Sequence, residues 1–182
     1  MTRLFFALSL PDSISDELDG LCEGIARARW ALENDYHITL NFLGEVPGAR
    51  VREVIEIAHS IRKPALELSL QGSGVYPHRG RPKVLWVGVQ PDEALLSLQR
   101  TLQNELRHAD FVLEKRKFRP HVTLARIEQC QHEHLTPWLG QHLLFKSAPF
   151  RVFRFHLFSS VLTSSGSRYA LEESFRLGGP PA

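Results

Sequence analysis

Two histidines head the same four-residue phrase. His37-Ile38-Thr39-Leu40 recurs as His121-Val122-Thr123-Leu124, 84 residues further on. An imidazole changes protonation near neutral pH, with a reference pKa of about 6.5. One neutral and one protonated imidazole can therefore act as base and acid together. Phosphoryl transfer to water needs an attacking and a leaving oxygen roughly in line through phosphorus. Two histidines could serve those two ends. Two threonine hydroxyls could then donate to the non-bridging oxygens. A strained cyclic phosphate suits such a site, because its leaving oxygen stays tethered and needs only a proton.

The spacing dictates how these groups are carried. Side chains alternate along a strand with period two. Each His and its Thr then share one face, while Ile38/Leu40 and Val122/Leu124 share the other. The repeat extends upstream. Leu4–Leu10 and Leu85–Gln90 are strand-like runs that each end at Pro-Asp, at Pro11-Asp12 and Pro91-Asp92. A proline ends a central strand and suits a first helical turn. Helical spacing follows in both places: Ile14, Leu18, Leu21 and Ile25, then Leu95, Leu98, Leu102 and Leu106.

Downstream, Pro47 opens a helix with Val51, Val54, Ile55 and Ala58 on one side, and Leu66–Leu70 alternates as a strand. The second copy leads to a His-rich helix over Glu133–Leu143, a strand over Phe150–Ser159 and a last strand over Tyr169–Leu177. Gly72–Lys83 and Thr163–Ser167 read as loops, with Gly72-Ser73-Gly74 as a turn, and Gly178–Ala182 as a loose tail. Each half thus reads strand, helix, histidine strand, helix, strand. The fold class is α+β, a bilobal pseudo-twofold duplication. We read residues 1–182 as one two-lobed domain.

Composition narrows the partners. The chain has 182 residues, 43% hydrophobic and 23% charged, an ordinary soluble composition. A net charge of +2 does not demand nucleic acid, but basic residues gather beside the second histidine. Lys115, Arg116, Lys117 and Arg119 precede His121, and Arg126 follows it. We take Arg126 and Lys115 as phosphate-binding candidates. Phe118, three residues before His121, is a candidate stacking surface for a base. Phe6, Phe42 and Tyr76 are further aromatics, of which Phe6 and Phe42 read as core.

Cys22 and Cys130 make no disulfide framework, and no signal peptide or membrane span is evident. A reduced, cytoplasmic monomer without membrane association is expected. Cys130, His132 and His134 lack a second pair of ligands at zinc spacing, so no metal or other cofactor is expected. His132, His134 and His142 read as structural or exposed, and His59, His78 and His108 as surface residues.

With both phrases placed, the chain resembles the two-histidine phosphoesterases. Among them it is most similar to the bacterial RNA 2′,3′-cyclic phosphodiesterases, also called 2′-5′ RNA ligases. The likeness spans Leu4–Pro11, Tyr36–Glu45, Arg119–Arg126, Leu157–Leu162 and Gly166–Phe175. It implies antiparallel sheets from two lobes lining a central cleft, with helices outside. It also implies metal-independent opening of RNA or nucleoside 2′,3′-cyclic phosphate to a 2′-phosphomonoester, accompanied by reversible 2′-5′ RNA ligation. His37 and His121 are then the catalytic pair, and Thr39 and Thr123 bind phosphate. For a 2′-phosphate product the 3′ oxygen leaves, so His37 is assigned as acid and His121 as base. Two alternatives stay open. One is an RNA- or nucleotide-binding module without turnover. The other is the same chemistry on another substrate, such as an ADP-ribose cyclic phosphate or a 2′-5′ oligoadenylate.

Overall fold

The computed structural model describes residues 1–31, 35–128, 132–163 and 166–178. In chain order its elements are β1 (Thr2–Ser9), α1 (Asp12–Asp19), β2 (Ala28–Trp30), β3 (His37–Val46), α2 (Gly48–Ser60), β4 (Leu66–Leu68), β5 (Leu70–His78), β6 (Arg81–Val89), α3 (Glu93–His108), β7 (His121–Ile127), α4 (His132–His142), β8 (Phe150–Val152), β9 (Arg154–Thr163) and β10 (Gly166–Arg176). Seven strands form one path, β10-β9-β1-β3-β7-β6-β5, and β2 adds to β7. Every pairing in this sheet is antiparallel. The chain is α+β, as the resemblance implied.

The two halves meet at the middle of the sheet. β3 and β7 both begin there and run away in opposite directions, paired at Ile38↔Val122. Beyond that crossing β2 takes the edge of β7, with Trp30 opposite Ala125 and Ala28 opposite Ile127. The lobes exchange their later strands. β9, from the second half, flanks β1, while β5, from the first, flanks β6. β4 and β8 pair across the halves as well. The repeat is therefore not two independent packages, because each half completes the other's sheet.

The apolar faces of the helices explain where they sit. Ile14 and Leu18 of α1, Val54 and Ala58 of α2, Leu95, Leu98, Leu102 and Leu106 of α3, and Leu135 and Trp138 of α4 are all buried. They join Leu8, Ile38, Val87 and Val122 of the sheet in one core. Each such side chain contributes about 1.5–3 kcal/mol by leaving water. α3 starts at Asp92, whose carboxylate accepts from the Leu95 N–H at 2.7 Å. α1 is shorter than its apolar spacing suggests. It ends at Asp19, and Leu21 and Ile25 reach the core from the turns that follow.

Two further expectations are corrected. Gly72–Lys83 is not a loop: it is most of a β-hairpin, β5 with β6, closed by Arg79 and Gly80 at φ of 50° and 75°. Gly72-Ser73-Gly74 therefore lies inside a strand rather than in a turn. Its glycines have a steric reason. A Cβ on Gly74 would stand within 2.8 Å of three carbons of the Trp86 ring, so the indole lies across β5 where only glycine leaves room. The Phe150–Ser159 strand is broken at Phe153, which is exposed. The loop expected at Thr163–Ser167 is shorter than that: Thr163 closes β9, Gly166 and Ser167 open β10 with Gly166 opposite Thr163, and residues 164–165, like 179–182 of the expected tail, lie outside the described residues.

Candidate active site

The Ile38↔Val122 pair fixes the arrangement of the repeated phrases. In an antiparallel pair centred there, His37 comes opposite Thr123 and Thr39 opposite His121. The four side chains occupy the corners of a rectangle. The histidines take one diagonal and the threonines the other. Diagonal neighbours on adjacent strands are about 7–8 Å apart. A phosphate at the centre would have an imidazole at each end of one diagonal and a hydroxyl at each end of the other. The backs of both phrases are core: Ile38, Leu40, Val122 and Leu124 are buried.

Each histidine is oriented in the same way. His37 donates from Nδ1 to the Asp35 carbonyl at 2.6 Å, and His121 donates from Nδ1 to the Arg119 carbonyl at 2.7 Å. A carbonyl can only accept, so Nδ1 carries the proton in both rings and Nε2 is left for chemistry. Both imidazoles titrate below the ordinary histidine value. Burial dominates for each. The hydrogen bonds to Asp35 and Arg119 oppose that shift. The charge of His121 adds to it at His37, and Arg116 adds to it at His121. His121 is therefore near enough for its charge to act on His37.

Aromatic side chains frame each ring. His37 is 5.2 Å from Phe5, 5.2 Å from Tyr169 and 6.5 Å from Phe158, between ring centroids. Ser9, Asp35 and Tyr36 complete a pocket beside it. His121 is 5.1 Å from Tyr76 and 6.4 Å from Trp86, which stack on each other at 5.2 Å. Tyr36 anchors the approach to β3: its hydroxyl donates to Asp19 at 2.7 Å and lies 3.2 Å from Cys22 Sγ.

A bulge places Arg126. Trp86 opposes Thr123 and Leu85 opposes Ala125, so Leu124 is extra in β7. That one residue resets the alternation and puts Arg126 opposite Val84, on the same face as His121 and Thr123. β3 has the matching irregularity at Leu40, which puts Phe42 opposite Phe5 on the face of His37 and Thr39. The residue five positions after each histidine thus flanks the site: Arg126 in one half, Phe42 under the Arg3 guanidinium in the other. Arg126 is exposed and has no ion-pair partner among the described residues.

The remaining candidates separate. Lys115 is exposed on the segment between α3 and β7, while Phe118 is half-buried and packs against the core. Arg119 and Arg116 lie close enough to Tyr76 for their charges to act on its hydroxyl, so the basic run stands on the His121 side. Phe6 is core, as expected, whereas Phe42 is half-buried on the site face. Tyr76 is the one aromatic expected from the sequence that contacts a histidine. Phe5, Phe158, Tyr169 and Trp86 frame the site without a signal in the sequence. Phe5 and Trp86 belong to runs that read simply as apolar, and the alternation of Phe158 and Tyr169 gives no hint of which histidine they meet. His59, His78, His108 and His134 are exposed, and His142 lies against Trp138. Cys130 and the side chain of His132 lie outside the described residues.

Paired imidazoles and hydroxyls on two strands of a duplicated antiparallel sheet define a two-histidine phosphoesterase site. The match to the 2′-5′ RNA ligase superfamily, over residues 10–162, agrees, and the chain belongs to that family. It is 30% identical over 177 residues to an RNA 2′,3′-cyclic phosphodiesterase of Thermotoga maritima, covering 92% of this chain and 91% of that one. The protein of the same name from Escherichia coli is 31% identical over 128 residues, 68% of this chain and 71% of its own. Among solved structures, E. coli LigT in apo form superposes with a TM-score of 0.79 at 26% identity, over 98% of both chains. A Thermus thermophilus protein, TT0787, superposes at 0.81 with 24% identity, over 97% of this chain and 98% of that one, a likeness of fold.

Proposed function

We propose that this chain is an RNA 2′,3′-cyclic phosphodiesterase that works by paired histidine acid–base catalysis. The observation that carries the reading is the rectangle of His37, Thr39, His121 and Thr123 about the Ile38–Val122 pair. The family and the names of its relatives point to the same chemistry. His121 Nε2 takes a proton from water as the oxygen attacks phosphorus. The bond from phosphorus to the 3′ oxygen breaks, and His37 Nε2 delivers its proton to that oxygen. The products are a 2′-phosphomonoester and a free 3′ hydroxyl. Thr39 and Thr123 donate to the non-bridging oxygens, and Arg126 adds charge to the developing phosphorane. The bound phosphate's own charge favours the protonated form of the acid.

A 5′ hydroxyl in place of water opens the same ring: His121 takes its proton, the bond from phosphorus to the 3′ oxygen breaks, His37 protonates that oxygen, and the product is a 2′-5′ linkage, which makes ligase activity the accompanying reaction. We assign residues 1–182 to one two-lobed domain acting as a cytoplasmic monomer. No helix among the described residues is long and apolar enough to cross a membrane. Lys115 and Phe118 remain assigned to the substrate rim.

The test is turnover of an oligonucleotide ending in a 2′,3′-cyclic phosphate, with the product isomer read by phosphorus NMR. A 2′-phosphate formed at full rate in EDTA is the expected result. A 3′-phosphate product would exclude the assigned polarity. Binding without product would make the protein a nucleotide-binding module, and loss in EDTA with recovery in zinc would replace the two-histidine mechanism by a metal one.

A further inference from the structure

The face that carries His37 continues across β1 onto β9 and β10. Ser9 pairs with His37 and Ala7 with Thr39. Ala7 pairs in turn with His156, His156 with Ser174, and Arg154 with Arg176. Residues directly opposite each other in a sheet share a face. The alternate residues Phe155, Leu157 and Phe175 are buried on the other side. Arg154, Arg176, His156 and Ser174 therefore stand on the site face. The β1–β9 pairing ends at Ala7↔His156, and Arg154 lies two residues past that end, on the side of β9 toward which β1 carries Ser9, the partner of His37.

Two guanidinium groups directly across a strand pair repel each other. Here both are exposed, and neither belongs to an ion pair among the described residues. The basic run on the other lobe differs, since Arg116 is paired with Glu114 at 2.6 Å. Next to Arg154, His156 is half-buried and held by Ser174 Oγ at 2.8 Å from Nδ1. Two guanidinium groups with an imidazole beside them suit the binding of a phosphate. A chain that ends in a 2′,3′-cyclic phosphate has its one neighbouring phosphate on the 5′ side of the terminal nucleoside.

We propose that Arg154 and Arg176, with His156 beside them, form a second phosphate subsite that holds the 5′ phosphate of the terminal nucleoside, making RNA ends and 5′-phosphorylated nucleotides the favoured substrates over bare nucleoside cyclic phosphates. The proposal rests on the cyclic phosphodiesterase reading.

The experiment compares kcat/KM for adenosine 2′,3′-cyclic phosphate, its 5′-phosphorylated form, and the dinucleotide ApA ending in a cyclic phosphate. The wild-type enzyme should favour the last two by about tenfold or more, the scale of charge-assisted phosphate contacts. Arg154→Gln combined with Arg176→Gln should remove most of that preference, the loss falling on the two substrates that carry the extra phosphate. It should also flatten the dependence of log kcat/KM on log salt for the dinucleotide by about one unit. No preference in the wild type, or an equal loss on all three substrates, overturns the subsite. If no substrate is opened, the functional reading fails instead. Anisotropy of a 5′-labelled, 2′-phosphorylated ApA then still decides: weaker binding by the double variant supports the subsite, and unchanged binding rejects it.

Discussion

Ile38 of β3 pairs with Val122 of β7 where the two halves of the sheet join. Both side chains are fully buried, so the core holds the register that sets His37 diagonally from His121. A one-residue slip of either strand would turn its histidine to the core and its apolar partner residue to the site. Replacing His37 or His121 by Ala should abolish cyclic-phosphate opening while the protein stays folded. Thr39→Ala and Thr123→Ala should each weaken kcat/KM by about 1–3 kcal/mol, roughly five- to 150-fold. Steady-state kinetics with circular dichroism as the folding control checks both. Full activity in a double histidine variant would end the mechanism.

The imidazoles titrate below the ordinary histidine value, and that sets two pH dependences. The native protein binds fewer protons than the unfolded chain once pH falls below about 6.5. Stability should therefore be full above that value and fall as the solution is acidified through the native values of His37, His121 and His156, all lowered chiefly by burial. His37→Gln with His121→Gln should soften that acid loss in thermal melts at pH 7.5 and pH 5. For the free enzyme, kcat/KM needs one ring charged and one neutral, so its bell should peak on the acid side of about 6.5. A peak at alkaline pH would contradict the burial of the pair.

Arg126 reaches the site face only because Leu124 is extra in β7. Its guanidinium can bond two phosphate oxygens at once, which an ammonium cannot match. Arg126→Gln should lower kcat/KM about ten- to hundredfold, the range of a lost charged hydrogen bond, and Arg126→Lys should recover only part of it. The melting temperature should not move, since the side chain is exposed. Kinetics of the two variants side by side would separate a phosphate contact from a general charge effect.

The histidine–threonine face is legible in the sequence because strand alternation is a strict rule and the phrase occurs twice. Arg126 and Phe42 obey a bulge, which alternation cannot reveal, so the face that each takes is not legible in the sequence. The β5–β6 hairpin is hidden by its own composition. Glycine, proline and arginine between Gly72 and Lys83 mimic a loop, yet Gly74 is there to admit an indole ring and only Arg79 and Gly80 turn. The exchange of β5 and β9 between lobes is equally invisible. Sequence order shows that each half ends in a strand but not whose sheet that strand completes.

That indole supplies the last prediction. Trp86 stacks on Tyr76, and the edge of Tyr76 meets His121, so the position of the aromatic pair depends on Gly74 beneath it. In most strands Gly→Ala is neutral or stabilising, because it removes freedom from the unfolded chain. Here the new methyl would overlap three ring carbons within 2.8 Å, and a rigid indole cannot yield as a flexible chain can. Overpacking of this kind costs about 1–3 kcal/mol. Gly74→Ala should therefore lower the melting temperature and shift the tryptophan emission, and it should raise KM for cyclic-phosphate substrates more than it lowers kcat. The double variant Gly74→Ala with Trp86→Leu relieves the clash and should regain stability without regaining substrate affinity. If Gly74→Ala alone melts higher than the parent, the indole is not resting on β5 and the aromatic wall beside His121 is built some other way.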